Sequence, residues 1–307
     1  MSRSSNTYCR SIALMLLFFV IPALSEACNE LTARDRAFWE AMEKRPADLL
    51  FQLKPVSVRP ASGAVYTFTE KGINAFLKGD FPSAEKYYNR AIEGNPQEAA
   101  LYHNLALIAF SRLEFQKASE LWLKALSIEP LNARYTFHLA FTLTSDGKTD
   151  EAIGYYHKLL AMMHGRPEIY NSIGQLFEFK NDISGAESSF RKALSIKGDY
   201  APALTNLANL YRKNNRLSEA IRVYKKLIII TPGDVDNYIA IGDIYNEMGK
   251  NKLAAGFFKK ALAIRADYPE IHTRLAGLYK KMGRLREAAE EEKQAYAISC
   301  SLRPNME

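Results

Sequence analysis

A 34-residue period constrains the fold of this chain more than any other feature of its sequence. Seven alanines recur at that spacing: Ala84, Ala118, Ala152, Ala186, Ala220, Ala254 and Ala288. Twelve residues before each of them lies another small residue: Gly72, Ala106, Ala140, Gly174, Ala208, Gly242 and Ala276. Self-similarity at this period predicts stacked supersecondary units, because one unit alone cannot bury its apolar face.

The spacing inside each unit predicts two helices. When the recurring alanine is counted as position 20, apolar or small residues predominate at positions 4, 7, 8 and 11 and then at positions 20, 24 and 27; Lys71 in the first unit and Glu292 in the last depart from the pattern. Steps of three and four residues place each set on one helix face. Small residues at positions 8 and 20 allow the two backbones to approach closely, and large residues at positions 4, 11 and 24 fill the layer between units.

This pattern resembles the tetratricopeptide repeat. The second unit carries the family's residues as Tyr102, Leu105, Ala106, Ala118, Trp122, Ala125 and Pro130, and the sixth as Tyr238, Ile241, Gly242, Tyr245, Ala254, Phe258 and Ala261. The resemblance implies an all-α, right-handed superhelical solenoid of helix-turn-helix repeats. It covers 65–98, 99–132, 133–166, 167–200, 201–234, 235–268 and 269–302, followed by a tail at 303–307.

The first 27 residues have the features of a secretory signal peptide. Arg3 and Arg10 precede the apolar run 12–24, and small residues allow cleavage after Ser25 or Ala27. Thirteen apolar residues rise only about 20 Å as a helix, which is short of a bilayer core. We therefore expect an exported protein, periplasmic or secreted. An uncleaved membrane anchor and a lipidated Cys28 are the alternatives.

Residues 28–64 separate the signal peptide from the repeats. An amphipathic helix is predicted over 29–45, and Pro46, Pro55 and Pro60 interrupt the stretch behind it. We expect this segment to be a capping helix and linker for the first repeat. Its apolar residues could instead fold back over the groove described next.

In tetratricopeptide repeats the first helices line a concave groove, which positions 2, 5, 6, 9, 12 and 13 face. The resemblance therefore implies a partner-binding groove that is apolar in its first half and polar in its second. Its apolar residues and one asparagine are Tyr66, Ile73, Phe76, Asn104, Leu107, Phe110, Phe137 and Phe141. Its polar residues are Asn171, Gln175, Asn206, Asn209, Arg212, Asp243, Asn246 and Arg274.

The sequence contains no recognisable catalytic motif, phosphate loop or metal-ligand spacing, so we expect neither enzymatic activity nor a cofactor or metal. The groove positions carry acids and bases in similar numbers. The net charge of +7 therefore arises from basic residues elsewhere, which we interpret as dispersed over the chain. A nucleic-acid partner is therefore not expected, because phosphate tracking needs one sign of charge.

These observations predict a non-catalytic interaction scaffold that binds a protein or peptide in its groove, within an envelope or secretory-pathway assembly. The alternative is a glycan-binding protein or an accessory subunit of a glycosyl-transfer system. Sugars would then stack on Tyr66, Phe137 and Phe141.

Overall fold

The computed structural model describes residues 55, 57 and 63–301. The predicted signal peptide, nearly all of the predicted cap, Cys28 and the tail at 303–307 lie outside these residues. The described residues form fourteen α-helices and no strands. None of these helices combines the length and the hydropathy needed to cross a membrane.

The helices alternate between a first and a second helix of each repeat. The first helices are α1 (Gly63–Leu77), α3 (Ala99–Ser111), α5 (Ala133–Ser145), α7 (Pro167–Phe179), α9 (Ala201–Lys213), α11 (Val235–Glu247) and α13 (Pro269–Lys281). The second helices are α2 (Phe81–Gly94), α4 (Phe115–Ile128), α6 (Thr149–Met162), α8 (Ile183–Ile196), α10 (Leu217–Ile230), α12 (Asn251–Ile264) and α14 (Leu285–Ser301). The chain divides into two compact units between Ile169 and Tyr170, here called the amino-terminal and carboxy-terminal units.

The core repeats the small and large residues of the sequence period. The alanine at position 20 is 0% exposed in six repeats and 1% exposed in the last. In the three repeats with glycine at position 8, that glycine lies directly against the aromatic ring at position 24. A Cβ on Gly242 would lie 2.5 Å from Cε1 of Phe258, and one on Gly174 would lie 2.5 Å from Cε1 of Phe190.

The turn between the two helices has the same backbone conformation in every repeat. Position 15 adopts a positive φ in all seven repeats, between 58° and 78°. Glycine occupies it four times and asparagine twice, as this left-handed conformation favours. The exception is Leu113, whose φ is 63°. The packing of the repeat therefore imposes this turn conformation even at Leu113, whose side chain disfavours a positive φ.

Candidate functional site

The groove face, defined as positions 2, 5, 6, 9, 12 and 13 of the first helices, differs between helices. In α3 it is closed. Asn104, Leu107 and Phe110 are 0%, 1% and 2% exposed, and Phe76 of α1 is 2% exposed. The rings of Phe110 and Phe141 lie 5.8 Å apart. These four predicted binding residues therefore belong to the packed interior in this structure, rather than presenting open apolar anchors.

Four other predicted residues of the amino-terminal unit remain at least partly accessible. Tyr66 is 44% exposed, and Ile73, Phe137 and Phe141 are half-buried. The rings of Phe137 and Phe141 stack with centroids 6.1 Å apart and an interplanar angle of 11°. What remains of the expected apolar surface is thus aromatic and interrupted by the closed face of α3.

The chain preceding α1 reaches this same surface. The hydroxyl of Ser57 donates a hydrogen bond of 2.7 Å to Oε1 of Glu70, which occupies position 6 of the first repeat. Ser57 therefore lies at the groove face of α1. At this one residue the contact agrees with the alternative in which the segment before the repeats folds back over the groove. Most of that segment lies outside the described residues.

A buried aromatic and histidine cluster includes His103 and His138, which occupy groove-face positions 5 and 6 of α3 and α5. Trp122 Nε1 donates to Nδ1 of His103 at 3.0 Å, and its ring stacks with that of His138 at 5.6 Å. All three side chains are 0% exposed. Across the described residues, no three His, Cys, Asp or Glu side chains are grouped so that they could hold a metal ion. These histidines contribute to packing between α3, α4 and α5.

In the carboxy-terminal unit a row of carboxamides crosses two successive first helices. Asn206 of α9 donates through Nδ2 to Oδ1 of Asn171 in α7 at 2.9 Å. Asn171 is 0% exposed and also contacts Gln175 Oε1 at 3.5 Å, whereas Asn206, Gln175 and Asn209 are half-buried. Tyr224 donates its hydroxyl to Oδ1 of Asn209 at 2.5 Å. The structure therefore brings these four predicted residues together on one surface, here called the carboxamide row.

Ion pairs and a further hydrogen bond continue this surface. Arg212 Nε lies 3.2 Å from Glu247 Oε1, and Arg274 Nε lies 3.1 Å from Asp243 Oδ1. Asn246 accepts from Lys281 Nζ at 3.0 Å. Each contact joins consecutive first helices, and the two ion pairs neutralise the charges of Arg212 and Arg274. The surface consequently presents little net charge of either sign.

The sequence placed Arg212, Asp243, Asn246 and Arg274 on the groove face but did not predict which residues they contact; Arg274, for example, pairs with Asp243. Lys213 pairs with Glu178, and Lys281 and Glu247 make the contacts given above. Four of the contacts across the carboxy-terminal groove face join residues 35 apart, one more than the period. A search for complementary side chains at that separation would have found them.

Comparison with known proteins gives one consistent result. Family models described as tetratricopeptide repeats match residues 69–126, 137–170, 180–241 and 242–283. A tetratricopeptide repeat protein from Parabacteroides merdae is 25% identical, with 76% of this chain and 93% of that chain covered and a TM-score of 0.55. The C-terminal part of a TPR repeat-containing protein from Cytophaga hutchinsonii is 15% identical, with 76% and 96% covered and a TM-score of 0.65.

Among curated proteins, the BBSome complex member BBS4 of Bos taurus is 27% identical over 127 residues, which is 41% of this chain and 24% of that protein. Stress-induced-phosphoprotein 1 of Caenorhabditis elegans is 44% identical over 48 residues, which is 16% of this chain and 15% of that protein. The chain thus matches about a quarter or less of the length of these two relatives.

Proposed function

Because this chain belongs to the tetratricopeptide repeat family, whose fold supports protein–protein interaction, we propose that it is a non-catalytic scaffold that binds an extended segment of a partner protein. The binding surface is the groove face of the carboxy-terminal unit. The observation that carries this proposal is the carboxamide row of Asn171, Gln175, Asn206 and Asn209, which is held in place by hydrogen bonds from within the fold.

Carboxamides suit a peptide backbone because each offers both a donor and an acceptor, as a peptide group does. The buried Asn171 holds Asn206 by accepting from its Nδ2. Tyr224 occupies Oδ1 of Asn209, so the Nδ2 group is turned away from that contact and has no partner among the described residues. A side chain oriented in advance loses less conformational entropy when a ligand binds.

The charged part of the surface favours a partner segment without strong net charge. Arg212 and Arg274 already pair with Glu247 and Asp243 across adjacent helices. A strongly acidic or basic ligand would have to displace these partners before it gained an ion pair of its own. Within the carboxamide row, Oδ1 of Asn206 and Nδ2 of Asn209 are not used by the contacts given above, so a peptide backbone can bind them without displacing those partners.

The test is selection of ligands from a library of random displayed peptides on the full-length chain. Peptides that bind the wild-type chain should lose about tenfold or more in affinity on N206A/N209A, because two oriented backbone contacts are lost. The matched control is N89A/Q294A, which removes two exposed carboxamides from second helices. Circular dichroism confirms that both variants fold. Equal affinity of the selected peptides for both variants would contradict the proposal.

Export of the protein is part of the same proposal, and the supporting observation is the charged start and short apolar run of residues 1–24. The full-length chain, expressed in a secreting host, should be recovered outside the cytoplasm with Glu26 or Cys28 as its first residue. N-terminal sequencing that returns Met1 from a membrane fraction would favour the uncleaved anchor instead.

A glycan is the second candidate partner, because Tyr66 and the stacked Phe137 and Phe141 offer ring faces in the amino-terminal unit. Soluble polysaccharides should then raise the melting temperature of the full-length chain, and F137A should remove that rise. An unchanged melting temperature with every polysaccharide would exclude this candidate.

A further inference from the structure

The second helices of the carboxy-terminal unit carry pairs of adjacent basic residues that recur with the repeat. They occupy positions 25 and 26 of α8, α10 and α12, and every one of them is exposed. They form what we call the basic ladder: Arg191, Lys192, Lys225, Lys226, Lys259 and Lys260. The ladder lies outside the groove face, since that face is formed by the first helices. It does not depend on the proposed function.

Positive charge predominates on the face that carries the ladder. Positions 22 and 29 lie three or four residues from the ladder positions and therefore share their helix face. Arg222 adds a cation at position 22 of α10, and the remaining five of these flanking residues are uncharged: Ser188, Ser195, Ile229, Gly256 and Ala263. One acid lies beside the ladder on these three helices: Glu187, four residues before Arg191 in α8. The interpretation that the remaining bases are dispersed is therefore corrected for this unit.

Most of the positive charge remains available to a partner. Among the six ladder residues, Arg191 has a carboxylate partner in the described structure, Glu187 at 2.9 Å. Lys192 lies over the ring of Tyr170 at 5.9 Å, and Lys260 over that of Phe257 at 5.0 Å. Contact with a ring orients an ammonium group without neutralising it. This contrasts with the groove face, where arginines pair with carboxylates.

From this arrangement we infer that the basic ladder is a second interaction surface, which docks an acidic segment of a partner protein. Regions of one charge sign steer such partners and raise the rate of association. The short residues around the ladder, such as Ser195 and Gly256, let a chain approach the ammonium groups. The partner is recognised by its run of carboxylates.

Two other polyanions fit this face less well. Single-stranded nucleic acid is bound through base stacking on aromatic residues, and positions 22, 25, 26 and 29 of these helices carry none. A membrane-binding face combines basic residues with large apolar side chains that enter the lipid. Ile229 is the one large apolar residue at those positions of the three helices. Five of the six ladder residues are lysines, which act as point charges rather than as the bidentate forks that suit phosphate.

The test uses the full-length chain and poly-L-glutamate as the acidic probe. K225E/K259E/K260E reverses three exposed charges and should weaken binding by about tenfold or more. Binding to the wild-type chain should also fall as salt is raised, because exposed charges are screened. The corresponding lysine-to-glutamine variant removes the charge but keeps a polar side chain and should show an intermediate loss, so the test does not rely on charge reversal alone.

The matched control is K71E/K78E/K86E, which makes the same change in net charge at exposed lysines of the amino-terminal unit. It should bind poly-L-glutamate within about twofold of the wild-type chain. An equal loss in both triple variants would show that net charge alone matters and would overturn the inference. Failure of the wild-type chain to bind would overturn it too. Tighter ladder-dependent binding of a DNA duplex or of phosphatidylglycerol vesicles would overturn the assignment to an acidic protein segment.

Discussion

Replacement of Gly242 by alanine tests the close approach on which the repeat packing depends. Gly242 lies inside α11 at position 8, opposite the ring of Phe258 on α12. A Cβ added there would lie 2.5 Å from Cε1, 2.7 Å from Cδ1 and 3.1 Å from Cζ of that ring. Since Phe258 is 0% exposed, the ring or the helix must shift to admit the methyl group.

Two effects of opposite sign decide the outcome. Alanine is favoured over glycine in a helix interior by about 1 kcal/mol. Forcing a methyl group into a packed core costs about 1–3 kcal/mol. The upper part of that range applies here because three ring atoms are crowded at once and the ring is enclosed. We therefore expect G242A to lower the free energy of unfolding by about 1–2 kcal/mol.

Gly256 provides the matched control, because it is also inside a helix of the carboxy-terminal unit but a Cβ there would meet no atom within 4 Å. G256A should show the helix preference alone and raise stability by up to about 1 kcal/mol. Urea unfolding followed by circular dichroism at 222 nm measures the stability change of both variants. The changes are compared as shifts of the urea midpoint, because the unfolding of repeat arrays departs from two-state behaviour.

A second measurement isolates the contact between Gly242 and Phe258. In an F258L background the crowding ring is gone, so the loss caused by G242A should shrink or disappear. If G242A is as stabilising as G256A, or if its loss is unchanged in the F258L background, then the close approach of α11 and α12 does not determine stability and the reasoning is wrong.

Three further variants test other features. Partial burial alone would raise the pKa of Glu187, but hydrogen bonds from Arg216, Tyr211 and Arg191 lower it to about 2. E187Q should therefore lower the free energy of unfolding by about 1–3 kcal/mol at pH 7, and this loss should shrink as the pH falls from 4.5 towards 2. Urea midpoints measure the loss, and a loss independent of pH would contradict the prediction. L113G should raise the melting temperature, because it removes the strain of a leucine in the left-handed backbone conformation, which costs about 1–2 kcal/mol. N206A should cost about 1–3 kcal/mol in urea unfolding, because it removes a donor to a buried carboxamide, whereas N89A should be neutral.

The helical repeat was predictable because its signals are local and redundant. Any one position 20 alanine is weak evidence, but seven of them in phase fix the period, and the spacing of large and small residues then gives the two helices. The same logic extends to the turns. Glycine or asparagine at position 15 in six repeats marks the left-handed residue, and the repeat imposes that conformation on Leu113 as well.

The open or closed state of the groove face was less predictable, because exposure depends on neighbours and not on repeat position. Position 12 is Phe110 in α3, packed near Phe141, but Arg212 in α9, where it reaches Glu247. A rule that assigns position 12 to the surface is correct for the arginine and wrong for the phenylalanine. Large apolar residues at surface positions pack against one another where adjacent repeats both carry them.

The groove face and the basic ladder of the carboxy-terminal unit differ in how far their charges are neutralised, and this difference allows their partners to be distinguished by experiment. The groove-face cations Arg212, Lys213 and Arg274 pair with acids within the fold, so salt has little net charge there to screen, whereas the basic ladder keeps most of its charge exposed. Binding of groove peptides should therefore change little with salt, while binding of an acidic segment should weaken steeply. If both bind and respond to salt alike, the charge separation between the faces has no functional consequence. If the responses differ and each is removed by its own set of variants, one unit holds two partners through unrelated forces.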